Sequence, residues 1–294
     1  MARGAAVAAT LATARGPLPA RGVAATAEVL EGGGVAWDDE GTIVFVGPAE
    51  DLPWEPTFGK GELGTIVPGF VDCHVHLPFV GWRADEYEER LTGVSYRDLH
   101  EKGGIHRSAR MLAEAEDDEV LAFSKALADE ATAHGTTAME LKSGYGLSVE
   151  GELRQLRLAR RLAQTVPQTC TVTLLACHAV PDGWSREDWV AAACDELIPT
   201  AAAERLADAI DIYVEDIAFS LEDLERVAAA AKAAWLPLRV HADQLGSSGA
   251  AEAAAALGAR SADHLNHVSE AGIAALGSSE TAAVLLPAST FTLR

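Results

Sequence analysis

From residue 66 onward, short apolar runs alternate along the chain with longer amphipathic segments. After a first run near residue 66, six further runs have the length of buried strands, at residues 136–141, 170–176, 209–214, 237–241, 261–265 and 282–286. The segments between them are rich in Ala, Leu and Glu with apolar residues at helical spacing, at residues 117–134, 150–164, 186–206, 220–234 and 248–257. This alternation predicts an α/β fold in which helices wrap a parallel sheet. We expect a (β/α)8 barrel, of which seven strands lie within this sequence.

Residues 23–50 show a different pattern, in which short β-like runs are separated by glycine-rich turns. The runs cover residues 23–30, 34–37 and 42–47, and they predict a small antiparallel sheet. Prolines and glycines over residues 53–64 then precede the apolar run 65–72, which we interpret as the first barrel strand. We therefore expect a small β domain over residues 1–65 and an incomplete barrel over residues 66–294.

The balance of charge limits the kinds of partner. The chain has 23 Lys and Arg residues against 44 Asp and Glu residues, a formal net charge of −21. No basic surface is available for nucleic acid or an anionic membrane, so we expect a small-molecule partner. The four cysteines form no CxxC pair, and no apolar run reaches the roughly 18 residues of a membrane span. We expect a cytoplasmic protein without disulfides.

Four histidines lie where the predicted barrel strands end. His74 and His76 follow the first strand, and the period of two along a strand puts both imidazoles on the same side. His241 ends the fifth strand and His264 ends the sixth. Barrels of this type carry their chemistry at the carboxyl ends of the strands, so we interpret the four as a metal site. For a lone His-X-His pair, the alternative is surface or buried core histidines. We expect a structural or solvated position for the histidines away from strand ends, namely His100, His106, His134 and His267.

The sequence around these histidines resembles one family. Residues 68–76 are similar to the first-strand motif of the amidohydrolase superfamily. Similarity to the imidazolonepropionases, a family within it, extends from about residue 35 to residue 291. It rests on several motifs in the same order, at residues 83–87, 93–96, 140–147, 178–181, 218–220, 241–244 and 262–265.

This resemblance implies a hydrolase of histidine degradation, which converts 4-imidazolone-5-propanoate to N-formimidoyl-L-glutamate. It implies one Zn²⁺ or Fe³⁺ ion held by His74, His76 and His241, with a carboxylate from an eighth strand completing the site. Two residues are assigned to catalysis. His264 would donate hydrogen bonds to the oxyanion or move a proton, and Gln244 would orient the ring and the attacking water.

The resemblance also implies a set of substrate-binding residues. Arg83 would bind the propanoate, because a guanidinium forms two charge-assisted hydrogen bonds with a carboxylate. Further contacts to the substrate would come from Tyr96, Tyr145, His178 and Gln244. For Lys142 and Glu140, which lie close to these residues in sequence, an internal ion pair is the simpler interpretation. Relatives commonly pair, which leaves a homodimer open.

The family continues beyond residue 294 with a seventh helix, an eighth strand and the second half of a composite β-sandwich. We therefore expect this sequence to be C-terminally incomplete. We also expect these 294 residues alone to bind metal weakly and to hydrolyse little substrate.

Two other functions remain open at this point. One is a related deaminase of a ring such as cytosine or guanine. Such an enzyme has no obvious use for Arg83 with Tyr145, and it usually needs a Glu two or three residues after His241, where this chain has Asp243 and Gln244. The other is an inactive metal-binding fragment, which metal content and turnover measured on one preparation would distinguish from an enzyme.

Overall fold

A computed structural model describes residues 2–14, 27–58, 64–94, 98 and 103–293 of the chain. The chain divides into two compact units, Met1–Gly69 and Phe70–Arg294. The predicted domain ranges, 1–65 and 66–294, stay predictions. Within the described ranges, no helix has both the length and the apolar character needed to cross a bilayer.

The Met1–Gly69 unit contains two three-stranded sheets. Their strands are β1 (Gly4–Val7), β2 (Thr10–Ala14), β3 (Ala27–Glu31), β4 (Gly33–Trp37), β5 (Ile43–Pro48) and β6 (Thr65–Ile66). One sheet has the order β1-β4-β5 and the other the order β3-β2-β6. The prediction of one antiparallel sheet over residues 23–50 is therefore wrong, because β3 pairs with β2 while β4 and β5 pair with each other. The predicted strand residues 23–26 lie outside the described part of the chain.

The second unit is built on seven parallel strands in sequence order. These are β7 (Phe70–Val75), β8 (Thr136–Lys142), β9 (Thr169–Cys177), β10 (Ala209–Val214), β11 (Leu238–Ala242), β12 (Ser261–His264) and β13 (Ala282–Leu285). Every neighbouring pair is parallel, so all seven strands end at the same edge. The predicted parallel α/β barrel with seven strands in this sequence is confirmed.

Helices follow the strands, as the amphipathic segments predict. In this unit the described residues include α1 (Ala84–Leu91), α2 (Gly104–Glu114), α3 (Asp117–Ala133), α4 (Val149–Ala163), α5 (Arg186–Ala192), α6 (Ile198–Ala203), α7 (Leu221–Ala233), α8 (Ala250–Ala256), α9 (Glu270–Gly277) and α10 (Pro287–Leu293). Four of them begin after a serine whose side chain accepts a backbone N–H of the first turn: Ser148, Ser185, Ser220 and Ser269. Each such cap contributes about 1 kcal/mol and fixes where the helix starts.

The central strands are buried on both sides, which explains their continuous apolar runs. Leu174 in β9, Ile210 and Ile212 in β10 and Val240 in β11 are fully buried. Each buried Leu, Ile or Val side chain contributes about 1.5–3 kcal/mol by removal from water. The strands are thus held rigidly, and their carboxyl ends can support a precise arrangement of side chains.

The predicted first barrel strand, residues 65–72, is wrong in its extent. Thr65–Ile66 belongs to β6 and pairs with β2, whereas the barrel strand is Phe70–Val75. Pro68 and Gly69 lie between the two. Proline has no N–H to donate to a sheet ladder, so the apolar run is divided there into two strands.

Candidate metal centre

The imidazoles of His74, His76, His241 and His264 meet at the carboxyl ends of β7, β11 and β12. Nε2 of His76 lies 3.2 Å from Nε2 of His74 and 3.4 Å from Nε2 of His241. His74, His241 and His264 each offer a ring nitrogen within 4.8 Å of the other two. The structure thus brings together the four histidines that the strand ends predict.

The spacing of these nitrogens suits a single cation. Bonds of about 2.0–2.1 Å in a tetrahedral arrangement would separate two ligand nitrogens by roughly 3.3 Å. Burial, with the neighbouring imidazoles adding to it, lowers the pKa of His76 and of His241 well below the ordinary value. Both rings are therefore neutral near pH 7, which is the state in which an imidazole binds a metal. The residues present fit a metal ion.

Two buried aspartates lie behind the imidazoles. Oδ2 of Asp263 accepts a hydrogen bond of 2.7 Å from Nδ1 of His74, and Oδ2 of Asp211 lies 3.0 Å from Nδ1 of His241. Both aspartates are fully buried. Because an ionised carboxylate can only accept, the proton of the His74 ring is drawn to Nδ1 and the lone pair stays on Nε2. The contact of His241 Nδ1 with Asp211 lacks hydrogen-bond geometry, and there the negative charge alone favours the same tautomer. The two aspartates thus favour the tautomer that a metal site needs.

His178 follows β9 and extends the cluster on one side. Its ring stacks on that of His76, with 5.0 Å between centroids and 17° between planes. Nδ1 lies 2.9 Å from the carbonyl oxygen of Gly144, which can only accept, so Nδ1 donates and Nε2 is left as an acceptor. Gly144 has φ +112, and a Cβ there would lie 2.8 Å from His178 Nδ1, so the close contact requires glycine.

Tyr145 contacts two of these imidazoles and shares a cavity with Arg83. The Tyr145 ring lies 5.6 Å from His76 and 5.4 Å from His178. Tyr145 and Arg83 line one cavity of about 370 Å³ together with Phe79 and other residues. Nη1 of Arg83 donates to Glu86 at 3.1 Å, and its side chain is 29% exposed, so the guanidinium is accessible to a ligand.

Of the two remaining predicted site residues, the structure places one. Gln244 lies in the loop after β11, where its N–H donates to Oε1 of Glu215 at 2.6 Å and its carbonyl accepts from Asn266. These contacts fix its backbone, and the role of its side-chain amide stays a prediction. Tyr96 lies outside the described residues.

Backbone strain is concentrated at these strand ends. Asp243, His264 and Leu265 have φ values of +50, +76 and +58, in the left-handed region that non-glycine residues rarely adopt. Such conformations cost about 1–3 kcal/mol each and persist where the surroundings impose them. Their position at the carboxyl ends of β11 and β12 is typical of a functional site.

Stability should depend on pH through His178. Burial lowers the pKa of His178 from its ordinary 6.5 to about 3. Between these values the unfolded chain carries a proton on this ring that the folded chain lacks, so the free energy of unfolding falls as the pH falls. In His178→Gln, we expect the slope of this free energy between pH 4 and 6 to be shallower by up to about 1.4 kcal/mol per pH unit.

Urea unfolding of the metal-free protein at several pH values measures this slope. His134→Gln is the matched control, because it removes a histidine at an exposed helix end. A His178→Gln slope equal to that of the unmodified protein would contradict the burial argument.

Sequence reasoning did not assign roles to the buried aspartates. Asp211 lies within the apolar strand residues 209–214, and a charged residue in a buried strand must be paired. That signal was available in the sequence. The same argument applies to Asp263, which lies within the apolar run 261–265. Neither partner could be identified, because the pairs are 30 and 189 residues apart along the chain.

Comparison with known proteins identifies the family of the chain. The Amidohydrolase family matches residues 65–286 of the chain. The imidazolonepropionase of Ectopseudomonas mendocina (strain ymp) is 44% identical over 262 residues, which cover 87% of this chain and 65% of the relative. The imidazolonepropionase of Erwinia tasmaniensis is 42% identical over 271 residues, covering 90% of this chain and 67% of the relative. The chain thus spans about two thirds of the length of these relatives.

Solved structures show the same fold at low identity. The 5-methylcytosine deaminase from Klebsiella pneumoniae with phosphonocytosine has a TM-score of 0.63 at 15% identity, covering 99% of this chain and 68% of the other. The guanine deaminase from C. acetobutylicum has a TM-score of 0.60 at 15% identity, covering 99% and 69%. The resemblance that the sequence motifs indicate is confirmed, and the chain belongs to the amidohydrolase family.

Proposed function

We propose that this protein is an imidazolonepropionase, which hydrolyses 4-imidazolone-5-propanoate to N-formimidoyl-L-glutamate with one Zn²⁺ or Fe³⁺ ion. The observation that carries this proposal is the convergence of the Nε2 atoms of His74, His76 and His241. The identity of 42–44% to two imidazolonepropionases supports the substrate class. We propose His74, His76 and His241 as the ligands.

In the reaction, water adds to the ring carbonyl carbon and the ring C–N bond breaks. The carbon becomes a carboxylate, and the nitrogen retains the electron pair and takes a proton. A bound cation would supply Lewis acidity, which would polarise the carbonyl and lower the pKa of water so that hydroxide is available near neutral pH. The three imidazoles would supply nitrogen ligands, and the buried aspartates favour the required tautomer in two of them, His74 and His241.

His264 is proposed to donate a hydrogen bond to the developing oxyanion. Burial lowers its pKa to about 3, so near pH 7 the ring is neutral and has a single N–H. Its Nδ1 is buried and has no hydrogen-bond partner among the described residues. A neutral imidazole has no second proton to release, which favours hydrogen bonding to the oxyanion over proton transfer to the leaving nitrogen.

The remaining side chains are proposed to orient the substrate. The acceptor Nε2 of His178 suits a ring N–H, and Tyr145 both contacts this imidazole and lines the cavity that Arg83 also lines. These contacts support a ring-binding group at His178 and a carboxylate-binding group at Arg83. The two groups match a five-membered ring with a propanoate tail, and Gln244 is proposed to assist at the ring.

Arg83→Met should selectively weaken the binding of propanoate ligands. Loss of the charge-assisted hydrogen bonds to a carboxylate costs about 3 kcal/mol, which corresponds to roughly 100-fold in Kd. Calorimetry with 3-(imidazol-4-yl)propanoate, an unreactive analogue, measures this change. 4-Propylimidazole lacks the carboxylate and should bind both proteins equally.

Arg157→Met is the matched control for the loss of an arginine, because Arg157 pairs with Glu150 and Glu204 on an exposed helix face. It should leave the affinity for both ligands unchanged. An equal loss of both ligands in Arg83→Met would mean that the variant disturbs the cavity rather than carboxylate recognition.

The reaction is tested by incubating metal-loaded protein with 4-imidazolone-5-propanoate, cytosine and guanine in parallel, with metal content measured on the same preparation. The sequence predicts weak turnover from these 294 residues alone, so products are identified by mass at long times. We expect N-formimidoyl-L-glutamate from the first substrate. Ammonia from cytosine or guanine would replace the proposal with a deaminase, and bound metal with no product at all would indicate a metal-binding protein without catalysis.

A further inference from the structure

A buried lysine lies beneath the histidine cluster. Lys142, the last residue of β8, has no exposed surface. Its Nζ lies 2.6 Å from Oδ2 of Asp211, 3.1 Å from Oε1 of Glu140 and 3.3 Å from Oδ2 of Asp263. The ammonium group donates hydrogen bonds to Asp211 and Glu140, and Asp263 lies within ion-pair distance. The predicted ion pair with Glu140 is therefore only one part of a larger group.

Two of these carboxylates also contact the proposed metal ligands, and through the same oxygen atom. Oδ2 of Asp211 lies 2.6 Å from Lys142 Nζ and 3.0 Å from His241 Nδ1. Oδ2 of Asp263 lies 3.3 Å from Lys142 Nζ and 2.7 Å from His74 Nδ1. Each aspartate thus connects the lysine on one side to an imidazole on the other. Lys142 on β8 is thus connected through Asp211 on β10 to His241 on β11. It is also connected through Asp263 on β12 to His74 on β7.

Glu140 has other partners, which leaves Lys142 as the cation for the two aspartates. Nε of Arg239 lies 3.0 Å from Oε1 of Glu140, and the hydroxyl of Thr173 donates to the same oxygen. Without Lys142, Asp211 and Asp263 would be two buried carboxylates with only imidazoles beside them. Buried carboxylates without a cation are strongly disfavoured, and one or both would turn away from their present positions. A displaced carboxylate no longer orients the imidazole that it contacts.

We infer that Lys142 is a positioning residue for the metal centre: its ammonium holds Asp211 and Asp263 in place, and these carboxylates orient the imidazoles of His241 and His74. This inference rests on the proposed metal site. It also explains why a lysine with no surface exposure is placed where an apolar residue would cost less to bury. Among the described residues, Lys142 does not line the proposed substrate cavity, and its ammonium pairs with carboxylates rather than imidazoles, so its effect is exerted through the aspartates.

The test is the Kd for Zn²⁺, measured by competition with a chromophoric chelator, in the unmodified protein, Lys142→Met and Lys125→Met. Met retains the length of the side chain and removes the charge. Lys125 is the matched control, because it pairs with Asp129 at 2.6 Å on an exposed helix face. We expect Lys142→Met to bind Zn²⁺ about 10- to 100-fold more weakly, as for other residues that orient ligands. Lys125→Met should bind like the unmodified protein.

Asp263→Asn and the double variant Lys142→Met/Asp263→Asn complete a thermodynamic cycle. If Lys142 acts through the aspartates, the loss of Zn²⁺ affinity in the double variant is smaller than the sum of the losses in the two single variants. The visible spectrum of bound Co²⁺ reports the ligand geometry, and it should change in Lys142→Met but not in Lys125→Met.

The outcomes separate this inference from the proposed function. If the unmodified protein binds no Zn²⁺, the proposed metal site itself is wrong. If it binds Zn²⁺ and a folded Lys142→Met keeps the same Kd and Co²⁺ spectrum, Lys142 is a structural ion pair and the inference is overturned. Should Lys142→Met fail to fold, the near-isosteric Asp211→Asn and Asp263→Asn decide the question, because unchanged Zn²⁺ affinity in either one also overturns it.

Discussion

Replacing His241 with alanine is expected to remove metal binding and, with it, hydrolysis. Nε2 of His241 lies 3.4 Å from Nε2 of His76, which in turn lies 3.2 Å from Nε2 of His74. Loss of a direct ligand should weaken metal affinity by more than the 10- to 100-fold typical of residues that only orient ligands. Metal content after dialysis, measured by mass spectrometry alongside turnover, checks both effects. His241→Ala should retain little metal at concentrations that saturate the unmodified protein.

His267→Ala provides the control for loss of an imidazole. His267 is exposed and lies near His264 in sequence, but outside the cluster. It should bind metal like the unmodified protein. Undiminished metal content in His241→Ala would show that the cation, if bound, is held elsewhere.

Replacing His264 with alanine is expected to reduce turnover by about 100- to 1000-fold while leaving metal bound. This is the size of effect seen when one hydrogen-bond donor to an oxyanion is removed. The His264 ring lies 4.9 Å from that of His74 and 5.2 Å from that of His241, close enough to face a substrate at the same centre. Rates relative to the unmodified protein and metal content on the same samples measure the two parts of the prediction.

His264→Gln is the informative companion, because a side-chain amide still donates one hydrogen bond and should restore part of the rate. Loss of metal from His264→Ala would identify His264 as a metal ligand. The structure allows that role, because a ring nitrogen of His264 lies within 4.8 Å of ring nitrogens of His74 and His241. An unchanged rate would remove it from the mechanism.

The sequence predicts the central strands of the barrel well because they are buried on both faces. The apolar runs at residues 136–141 and 209–214 correspond closely to Thr136–Lys142 and Ala209–Val214. The prediction that histidines at strand ends converge succeeds for a related reason, since parallel strands in one sheet all end at the same edge. Residues as far apart as His74 and His264 could therefore be grouped without knowledge of any contact.

Local backbone interruptions were harder to predict. The segment 186–206 has continuous helical periodicity, yet the structure divides it into α5, a π-helical turn at Ala193–Leu197 and α6. Pro199 lies at the start of α6 and cannot donate to the carbonyl four residues earlier, which disturbs the preceding turn. Periodicity alone does not show how a helix accommodates a proline.

The charged group beneath the site could be predicted only in part. A lysine and several acids inside apolar strands indicate that buried ion pairs must exist, and Lys142 with Glu140 was the natural pair because they are two residues apart. The contacts to Asp211 and Asp263 depend on the register between β8, β10 and β12, which hydrophobic patterns do not specify. The contacts of Asp211 with His241 and of Asp263 with His74 likewise depend on strand register and could not be predicted from the sequence.

The central claim is that His74, His76 and His241 hold one metal ion through their Nε2 atoms. An anomalous-difference map from a crystal of the metal-loaded protein, recorded at the absorption edge of the metal, tests it directly. The account predicts one peak at about 2.0–2.1 Å from all three nitrogens if the metal is zinc. A peak bound to other side chains, or no peak at this cluster under conditions that load the protein with metal, would contradict it.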